Sequence, residues 1–324
     1  GAPLYQDTLR SAPAGREWEL HTLPAGEQFK PVATRYGIVA KLVGTPARRA
    51  ASLVAWGGGV VGDITGFAAA SYMRGVRFLQ APTTLLAQVD ASVGGKTGIN
   101  HEQGKNLVGA FHQPTAVFID TATLDTLAAR EFNAGLAEVV KYGAINDARF
   151  FAWLEQETQT IVARKADTIE HLIHRSILNK ANIVAQDEKE AGIRALLNFG
   201  HSFGHALEAE TSYRRFLHGE AVAIGMVVAA GLSESRGLCE PGQAKRLAAL
   251  LRGCGLPVRI PADLSISGLS RALELDKKAV ASGLRLVLLE AIGRARVDDG
   301  SSESEIERAM RDNREDPIRQ EQEI

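Results

Sequence analysis

The sequence feature that most constrains the fold is a short apolar run that stops at three glycines and continues as a helical pattern. Residues 51–56 have the composition of a buried strand, and residues 60–73 have the apolar spacing of a helix. The glycines between them are typical of a tight turn. Residues 77–81 predict a second strand after the helix. This succession indicates an α/β domain in the first part of the chain.

The glycines of that turn also fit a nucleotide-binding pattern. Gly57, Gly59 and Gly62 form a G-x-G-x-x-G arrangement, which lets the backbone approach a pyrophosphate at a helix N-terminus. An acidic residue is expected about 20 positions later to bind the ribose. It is absent, because the next acid after Asp63 is Asp90. The pattern therefore indicates either a dinucleotide held in a variant way or an ordinary tight turn.

A polar, glycine-rich segment at residues 90–106 has few apolar residues to anchor regular structure. Its G-G-K-T run lacks the G-x-x-x-x-G-K-[ST] spacing, so we reject a Walker A phosphate loop. Lys96, Lys105 and Arg74 remain candidates to converge on an anionic substrate. Isolated surface cations are the alternative interpretation.

From about residue 130, long amphipathic segments replace the short apolar runs and glycine turns of the first part of the chain. Long amphipathic segments predict helices at residues 131–142, 150–163, 167–185, 195–210, 218–236 and 243–254. We therefore place a domain boundary near 129/130, with one domain at 1–129 and another at 130–324. The charged segment 312–324 is expected to be disordered.

Three residues of the helical half have metal-binding chemistry. His201 and His205 are four apart, so a helix presents both imidazoles on one face, where they can hold Zn²⁺. Hydrogen-bonded histidines are the alternative. Glu138 lies in an apolar run and is costly to bury unless it is paired or metal-bound. It is therefore either a third ligand or part of a surface ion pair with Lys141.

Bulk properties exclude several classes of function. The formal net charge of −1 over 324 residues provides no basic field for nucleic acid. No apolar run reaches about 18 residues, which argues against a membrane span. The only cysteines, Cys239 and Cys254, have no metal-binding spacing and are expected to be reduced, buried thiols of a cytoplasmic protein.

Six segments carry a resemblance to a known family. They are GGGVVGDITGFAAASYMRG, QAPTTLLAQVDASVGGKTGIN, GKNLVGAFHQP, REFNAGLAEVVKYG, LLNFGHSFGHALE and LHGEAVAIGM. They closely resemble the 3-dehydroquinate synthase family, part of the sugar-phosphate cyclase superfamily, from about residue 2 to about residue 311.

The resemblance implies a Rossmann-like, parallel-sheet NAD domain and a C-terminal, mostly helical metal- and substrate-binding domain. It implies NAD and Zn²⁺ as cofactors, with Co²⁺ as an alternative metal, and a cytoplasmic homodimer. Its metal ligands correspond to Glu138, His201 and His218, so His205 moves to the substrate side. The implied NAD contacts are Glu27, Lys30, Gly58, Gly59, Asp63, Thr83, Thr84, Lys96, Lys105 and Thr126. The implied catalytic and substrate-binding residues are Arg74, Asp90, Lys96, Lys105, Asn106, Lys141, Lys180, Arg194, Asn198, His205 and Lys278.

The family's activity is a phosphorus–oxygen lyase reaction of the shikimate pathway, which leads to chorismate and the aromatic amino acids. Members convert 3-deoxy-D-arabino-heptulosonate 7-phosphate to 3-dehydroquinate and phosphate. Transient oxidation by NAD, β-elimination of phosphate, re-reduction and an intramolecular aldol closure make up the reaction. A carboxylate and a phosphate on the substrate explain a cationic pocket in a nearly neutral protein.

Other functions remain open at this point. Another sugar-phosphate cyclase shares the metal ligands but reads a substrate without a carboxylate, whereas Lys180, Arg194, Asn198 and Lys278 fit the acid substrate. A metal-dependent polyol dehydrogenase of the same architecture would release NADH. Family members carry about 40 to 60 further residues before this point, by domain-size reasoning. They include a first strand of the NAD domain. We expect that the sequence omits them, because every later site residue is present; the alternative is a truncated form that binds metal but turns over poorly.

Overall fold

The computed structural model describes residues 18–24, 26–44, 51–102, 104–190, 192–279 and 284–316, with the backbone alone at 276–279. The chain divides into two compact units, Gly1–Leu127 and Ala128–Ile324. No helix among these residues is long and apolar enough to cross a membrane.

The first unit contains a parallel sheet with a helix between its first two strands. Its main elements are α1 (Val32–Gly44), β1 (Ser52–Gly57), α2 (Gly59–Ser71), β2 (Arg77–Pro82), β3 (Lys96–His101), β4 (Gly104–Phe111) and β5 (Ala116–Val117). Strands β1, β2 and β5 are hydrogen-bonded in that order and run parallel. Parallel neighbouring strands require a crossover connection, and α2 is that connection between β1 and β2. The helix lies where the sequence predicts it. The predicted α/β fold is confirmed.

Helix α2 packs directly against the sheet. Ile64, Phe67 and Ala68 belong to the same core cluster as Phe78 of β2. A Cβ on Gly66 would lie 2.4 Å from the Thr97 side chain, so glycine is what allows this close packing. The core thus fixes the N-terminal end of α2 at the glycine turn.

The antiparallel hairpin formed by β3 and β4 is not anticipated by the sequence. Lys96 pairs with Phe111, and the register shifts between Ile99 and His101. Nearly every side chain of β4 is exposed or half-buried, so the strand shows no alternation of apolar and polar residues. Periodicity therefore cannot reveal it.

Within its described residues, the second unit is mostly helical and contains a small hairpin. Its elements are α3 (Ala129–Asn146), α4 (Ala148–Val162), α5 (Ala166–Gln186), α6 (His201–Glu210), α7 (His218–Ser235), α8 (Gln243–Gly253), α9 (Ile266–Ala279), β6 (Leu286–Ala291), β7 (Arg294–Asp298) and α10 (Glu303–Asp312). Helix α7 is apolar on nearly all sides and is buried among its neighbours. It is therefore the central helix of this unit.

The predicted continuous helix over residues 195–210 is wrong. A 3₁₀ turn covers Ile193–Asn198, and α6 starts only at His201. Gly200 separates them with a φ of 80°, and a Cβ there would lie 2.5 Å from Met226 Cγ. Only glycine meets both demands, so His201 is the first residue of a helix.

The first residues of the segment 312–324, which is predicted to be disordered, form backbone hydrogen bonds. Ile260 N donates to Asn313 O and Glu315 N donates to Ile260 O. The remainder of the segment predicted to be disordered, residues 317–324, lies outside the described residues. Cys239 and Cys254 are free and buried, as predicted.

Candidate metal centre and nucleotide site

Three side chains from three helices of the second unit form a group that could hold a metal ion. They are Glu138 of α3, His201 of α6 and His218 of α7. Glu138 Oε1 lies 3.6 Å from His201 Nε2 and 3.9 Å from His218 Nε2. The two imidazole centroids are 5.2 Å apart. A carboxylate oxygen and two imidazole nitrogens are a donor set that suits Zn²⁺ with an open coordination position.

Glycines bring the three helices close enough for this arrangement. A Cβ on Gly219, next to His218, would lie 1.9 Å from the carbonyl oxygen of Ala134 on α3. A Cβ on Gly225 would lie 2.1 Å from the carbonyl oxygen of Gly200, just before α6. The backbones of α3, α6 and α7 therefore touch, which places the ligand-bearing residues together.

Glu138 is a buried carboxylate with one oxygen available. Its side chain is 1% exposed and that of Lys141 is 2% exposed, and the two form an ion pair through Oε2. Glu138 and Lys141 therefore do form the ion pair of the alternative interpretation, but the pair is buried and does not lie on the surface. Oε1 is buried and accepts no hydrogen bond within the described part of the chain. A buried carboxylate oxygen without a donor is costly, and a bound cation would satisfy it.

The remaining ring nitrogens of both histidines face acceptors. His201 Nδ1 lies 3.3 Å from the carbonyl oxygen of Phe199, and His218 Nδ1 lies 3.5 Å from Glu208 Oε2. With the proton on Nδ1, each Nε2 keeps a lone pair directed toward Glu138. These acceptors therefore favour the Nδ1-protonated tautomer, which leaves Nε2 available to a metal.

Electrostatics differ between the two rings. Burial lowers the pKa of His201 well below its ordinary value, and the charges of Lys141, His218 and His205 add to this effect. Burial also disfavours a charged His218, but the hydrogen bond to Glu208 and the charge of Glu138 outweigh it and raise the pKa of His218. His201 is therefore neutral at neutral pH and available as a ligand.

The spacing-based pairing of His201 with His205 does not form a ligand group with any third residue that the structure describes. Their ring centroids are 5.7 Å apart on one face of α6, but His205 instead groups with Glu208 and His218. The assignment of Glu138, His201 and His218 as ligands is carried forward as a proposal.

Other predicted residues of the second unit lie in helices and in the turn before α6. Lys180 is buried in α5, and Arg194 is 1% exposed in the 3₁₀ turn, where its guanidinium donates to the carbonyl of Glu188. Asn198 Nδ2 donates to Glu190 Oε1 at 3.0 Å. Lys278 is in α9, and its side chain lies outside the described residues.

The sequence patterns do not predict two acids that contact residues of this region. Glu190 contacts Asn198, and Glu208 contacts His218. Glu208 follows His201 by seven positions, which is two helical turns, and that spacing is the signal that could have revealed it.

In the first unit, the glycine turn opens α2 at the ends of the parallel strands. A Cβ on Gly58 would lie 3.2 Å from the Thr84 side chain, and one on Gly59 would lie 3.3 Å from the Ala91 side chain. Gly62 packs on Gln80, as expected for the third glycine of the pattern. A cavity of about 190 Å³ lies at the ends of β1, β2 and β5, lined by Trp56, Ala81, Pro82, Thr83, Phe118, Ile119, Asp120 and Thr123.

A buried lysine links several predicted nucleotide contacts. Lys30 is 3% exposed, and its Nζ lies 2.6 Å from Asp63 Oδ2 and 2.5 Å from Asn106 Oδ1. Asn100 Nδ2 donates to Glu27 Oε1 at 2.8 Å, and Asn100 Oδ1 accepts from the Asn106 backbone at 3.0 Å. These contacts connect the segment before α1, the N-terminal half of α2 and the β3–β4 hairpin.

The other predicted residues of this unit lie on its surface or in short turns. Lys96 and Lys105 are exposed on the hairpin, and Arg74 is exposed with a φ of 65°. Asp90 belongs to a one-turn π-helix at Ala87–Ala91, an irregularity frequent at functional sites. Thr126 Oγ1 donates to the carbonyl of Thr123 at 3.3 Å.

The structure defines a class of protein with two units. One is an α/β unit with a parallel sheet, and the other is a helical unit in which Glu138, His201 and His218 could hold a metal ion. Sequence profiles for the 3-dehydroquinate synthase N-terminal and C-terminal domains match residues 20–134 and 135–279. The chain belongs to the 3-dehydroquinate synthase family.

Similar proteins agree with this assignment. The chain is 50% identical over 309 residues to the 3-dehydroquinate synthase of Hydrogenovibrio crunogenus, covering 95% of this chain and 86% of that protein. A 2-epi-5-epi-valiolone synthase from Streptomyces hygroscopicus, solved with NAD⁺ and Zn²⁺ bound, has a TM-score of 0.88 at 31% identity, covering 96% of this chain and 87% of that chain. A 2-deoxy-scyllo-inosose synthase complexed with carbaglucose-6-phosphate, NAD⁺ and Co²⁺ has a TM-score of 0.81 at 27% identity, covering 89% and 81%.

Proposed function

We propose that this protein is a 3-dehydroquinate synthase, a phosphorus–oxygen lyase that converts 3-deoxy-D-arabino-heptulosonate 7-phosphate to 3-dehydroquinate and phosphate. The observation that carries the proposal is the convergence of Glu138, His201 and His218, whose ligand atoms lie within 4.8 Å of one another. One of these atoms, Glu138 Oε1, is buried and receives no hydrogen bond from the described residues. The 50% identical relative of the same name supports the choice of reaction.

The proposed cofactors are NAD and a divalent cation, with Zn²⁺ first and Co²⁺ as the alternative. The related cyclases solved with NAD⁺ and Zn²⁺ or with NAD⁺ and Co²⁺ support both. When bound, NAD supplies reversible hydride transfer and the cation polarises substrate oxygens. The residues proposed to contact NAD are Glu27, Lys30, Gly58, Gly59, Asp63, Thr83, Thr84, Lys96, Lys105 and Thr126.

The cationic side chains of the second unit would recognise an anionic substrate. Arg194 presents a planar guanidinium that suits a carboxylate, and the ammonium groups of Lys180 and Lys141 suit anionic oxygens. Lys141 also forms a buried ion pair with Glu138. The further residues proposed to contact substrate are Arg74, Asp90, Lys96, Lys105, Asn106, Asn198, His205 and Lys278.

The second candidate is a cyclase that acts on a sugar phosphate without a carboxylate. The 31% identity to the valiolone synthase favours keeping it. Arg194 separates the two, because a planar guanidinium can bind both oxygens of a carboxylate, a group that the second candidate's substrate lacks. Arg194 therefore favours the acid substrate.

Phosphate release tests the proposal. The protein is mixed with the heptulosonate phosphate and NAD⁺ in catalytic amount, with Zn²⁺ present, and the expected result is many phosphates released per NAD⁺ without net NADH. Release only from a non-acidic sugar phosphate would indicate the second candidate. Stoichiometric NADH formed from a polyol would indicate a dehydrogenase instead.

We also propose that the protein is a cytoplasmic homodimer. The family resemblance supports the dimer, and light scattering on the purified protein would measure its mass in solution. Two buried, unpaired thiols are typical of a reducing compartment, which supports the cytoplasm.

A further inference from the structure

Glu208 occupies a position that the reaction alone does not explain. It lies on α6 two turns after His201, is 6% exposed, and directs Oε2 toward His218 Nδ1 at 3.5 Å. A carboxylate buried this deeply requires a partner. One of its partners is the ring of His218, a proposed metal ligand.

We infer that Glu208 is a positioning residue that holds the His218 ring for metal binding. Its Oε2 can accept a hydrogen bond from Nδ1–H, which turns Nε2 toward Glu138 Oε1 at 3.9 Å. The inference rests on the metal site of the proposed function. A carboxylate behind a metal-bound histidine fixes its tautomer and orientation and makes its other nitrogen a stronger donor.

His218 needs this support more than His201 does. The His218 side chain is 35% exposed, whereas that of His201 is 15% exposed. His218 is also the first residue of α7, so no preceding helical turn restricts its ring. The His201 ring is held by the Phe199 carbonyl of its own chain segment, whereas the acceptor that faces His218 Nδ1 is a side chain from another helix.

A second cation between His205, Glu208 and His218 is the competing explanation, because their ligand atoms also lie within 4.8 Å of one another. Two cations would require both nitrogens of His218 to be unprotonated. A neutral imidazole retains one proton, so occupation of Nε2 leaves Nδ1 a hydrogen-bond donor. The carboxylate of Glu208 is the matching acceptor.

Three substitutions separate orientation from charge. Glu208→Gln keeps the length and loses the charge, Glu208→Asp keeps the charge and shortens the side chain, and Glu208→Leu removes the acceptor. Glu210→Gln is the matched control, since Glu210 is an exposed acid on the same helix. Thermal unfolding of each metal-free variant verifies the fold.

Zinc affinity is measured by competition with a chromophoric chelator, and the Co²⁺ absorption spectrum reports coordination geometry. We expect Gln and Asp to weaken Zn²⁺ binding about 10-fold and Leu about 100-fold, with shifted Co²⁺ bands in all three. Glu210→Gln should match the wild type. Because Glu208→Gln is isosteric, it decides the question if Glu208→Leu fails to fold.

Three results would overturn the inference. A Glu208→Asp variant with wild-type affinity and spectrum would show that charge alone matters. Two zinc ions per wild-type chain, with one retained at full affinity in Glu208→Leu, would establish the second cation. A wild-type protein that binds no zinc would overturn the proposed function as well, which distinguishes the two failures.

Discussion

Arg130 of α3 and Glu220 of α7 form a bidentate ion pair, and Glu220 lies two positions after His218 in the chain. Arg130 Nε donates to Glu220 Oε1 and Arg130 Nη2 to Glu220 Oε2, both at 2.7 Å. Glu220 Oε2 also accepts from the Leu217 backbone at 2.7 Å and so caps α7. The pair therefore ties the helix of Glu138 to the start of the helix of His218.

The close approach of α3 and α7 predicts a strong effect of Gly219→Ala. The added methyl would meet the Ala134 carbonyl, and relieving that clash must move His218 away from Glu138. We expect a loss of about 1–3 kcal/mol in the free energy of unfolding, typical of overpacking, together with reduced zinc content. Urea denaturation and elemental analysis measure the two effects.

Gly231→Ala on the same helix is the control for that substitution. A Cβ at Gly231 has no neighbour within 4 Å, so the helix should gain about 0.5–1 kcal/mol from the better propensity of alanine. Equal behaviour of the two variants would contradict the role given to Gly219.

Substitutions of Glu138 and of Lys96 should have different effects on metal binding and on turnover. Glu138→Ala removes the only carboxylate proposed as a ligand, and we expect stoichiometric zinc to be lost, as in His218→Ala. Lys96→Ala should keep its zinc and lose turnover, because Lys96 is exposed on the β3–β4 hairpin and is proposed to contact substrate. Full zinc content in the Glu138 variant would refute the ligand assignment.

Asp147 should contribute to the free energy of unfolding at neutral pH and lose that contribution in acid. Burial raises the pKa of Asp147, but hydrogen bonds from the Phe150 backbone, Arg175 and Asn179 outweigh burial and lower it. A lowered pKa means that the unfolded chain binds the proton more readily. The stabilisation is therefore present above the unfolded pKa of about 4 and is lost as the pH falls through the folded value.

Asp147→Asn isolates that charge, because asparagine can still cap α4. We expect the variant to lose about 1 kcal/mol of unfolding free energy at neutral pH, since Arg175 is partly exposed, and to match the wild type in acid. Asp299→Asn, at an exposed position, is the control. Urea denaturation across the acid range measures the difference, and an equal deficit at every pH would exclude the charge as its cause.

Neither cysteine should react in the folded protein. Burial raises the pKa of Cys254 to about 12, and burial with the charges of Glu234 and Glu240 raises that of Cys239 to about 11. Only the thiolate is nucleophilic, so iodoacetamide near neutral pH should leave the native chain unmodified and add two groups in urea. Intact mass reports the result; rapid labelling of the native protein would contradict it.

Local patterns predict the elements that obey them. The run from β1 through the glycine turn to α2 was predictable because one apolar strand, one turn and one helical period follow in order. The β3–β4 hairpin was not, since β4 is largely exposed and lacks alternation. The break at Gly200 was also missed, because a left-handed φ there depends on contact with α7.

The candidate metal centre shows the same division. The chemistry of Glu138 was visible, because a carboxylate in an apolar run requires a partner. The spacing of His201 and His205 favoured a pair on one helix, whereas the structure completes the group with His218 from another helix. Spacing along the chain cannot reveal a contact that depends on glycines at a helix crossing.

Anomalous diffraction at the zinc edge, from crystals grown with Zn²⁺, tests the central claim most directly. We predict one strong peak about 2.0–2.2 Å from Glu138 Oε1, His201 Nε2 and His218 Nε2. A peak bound by other residues, or none between these three atoms at full zinc content, would contradict the account.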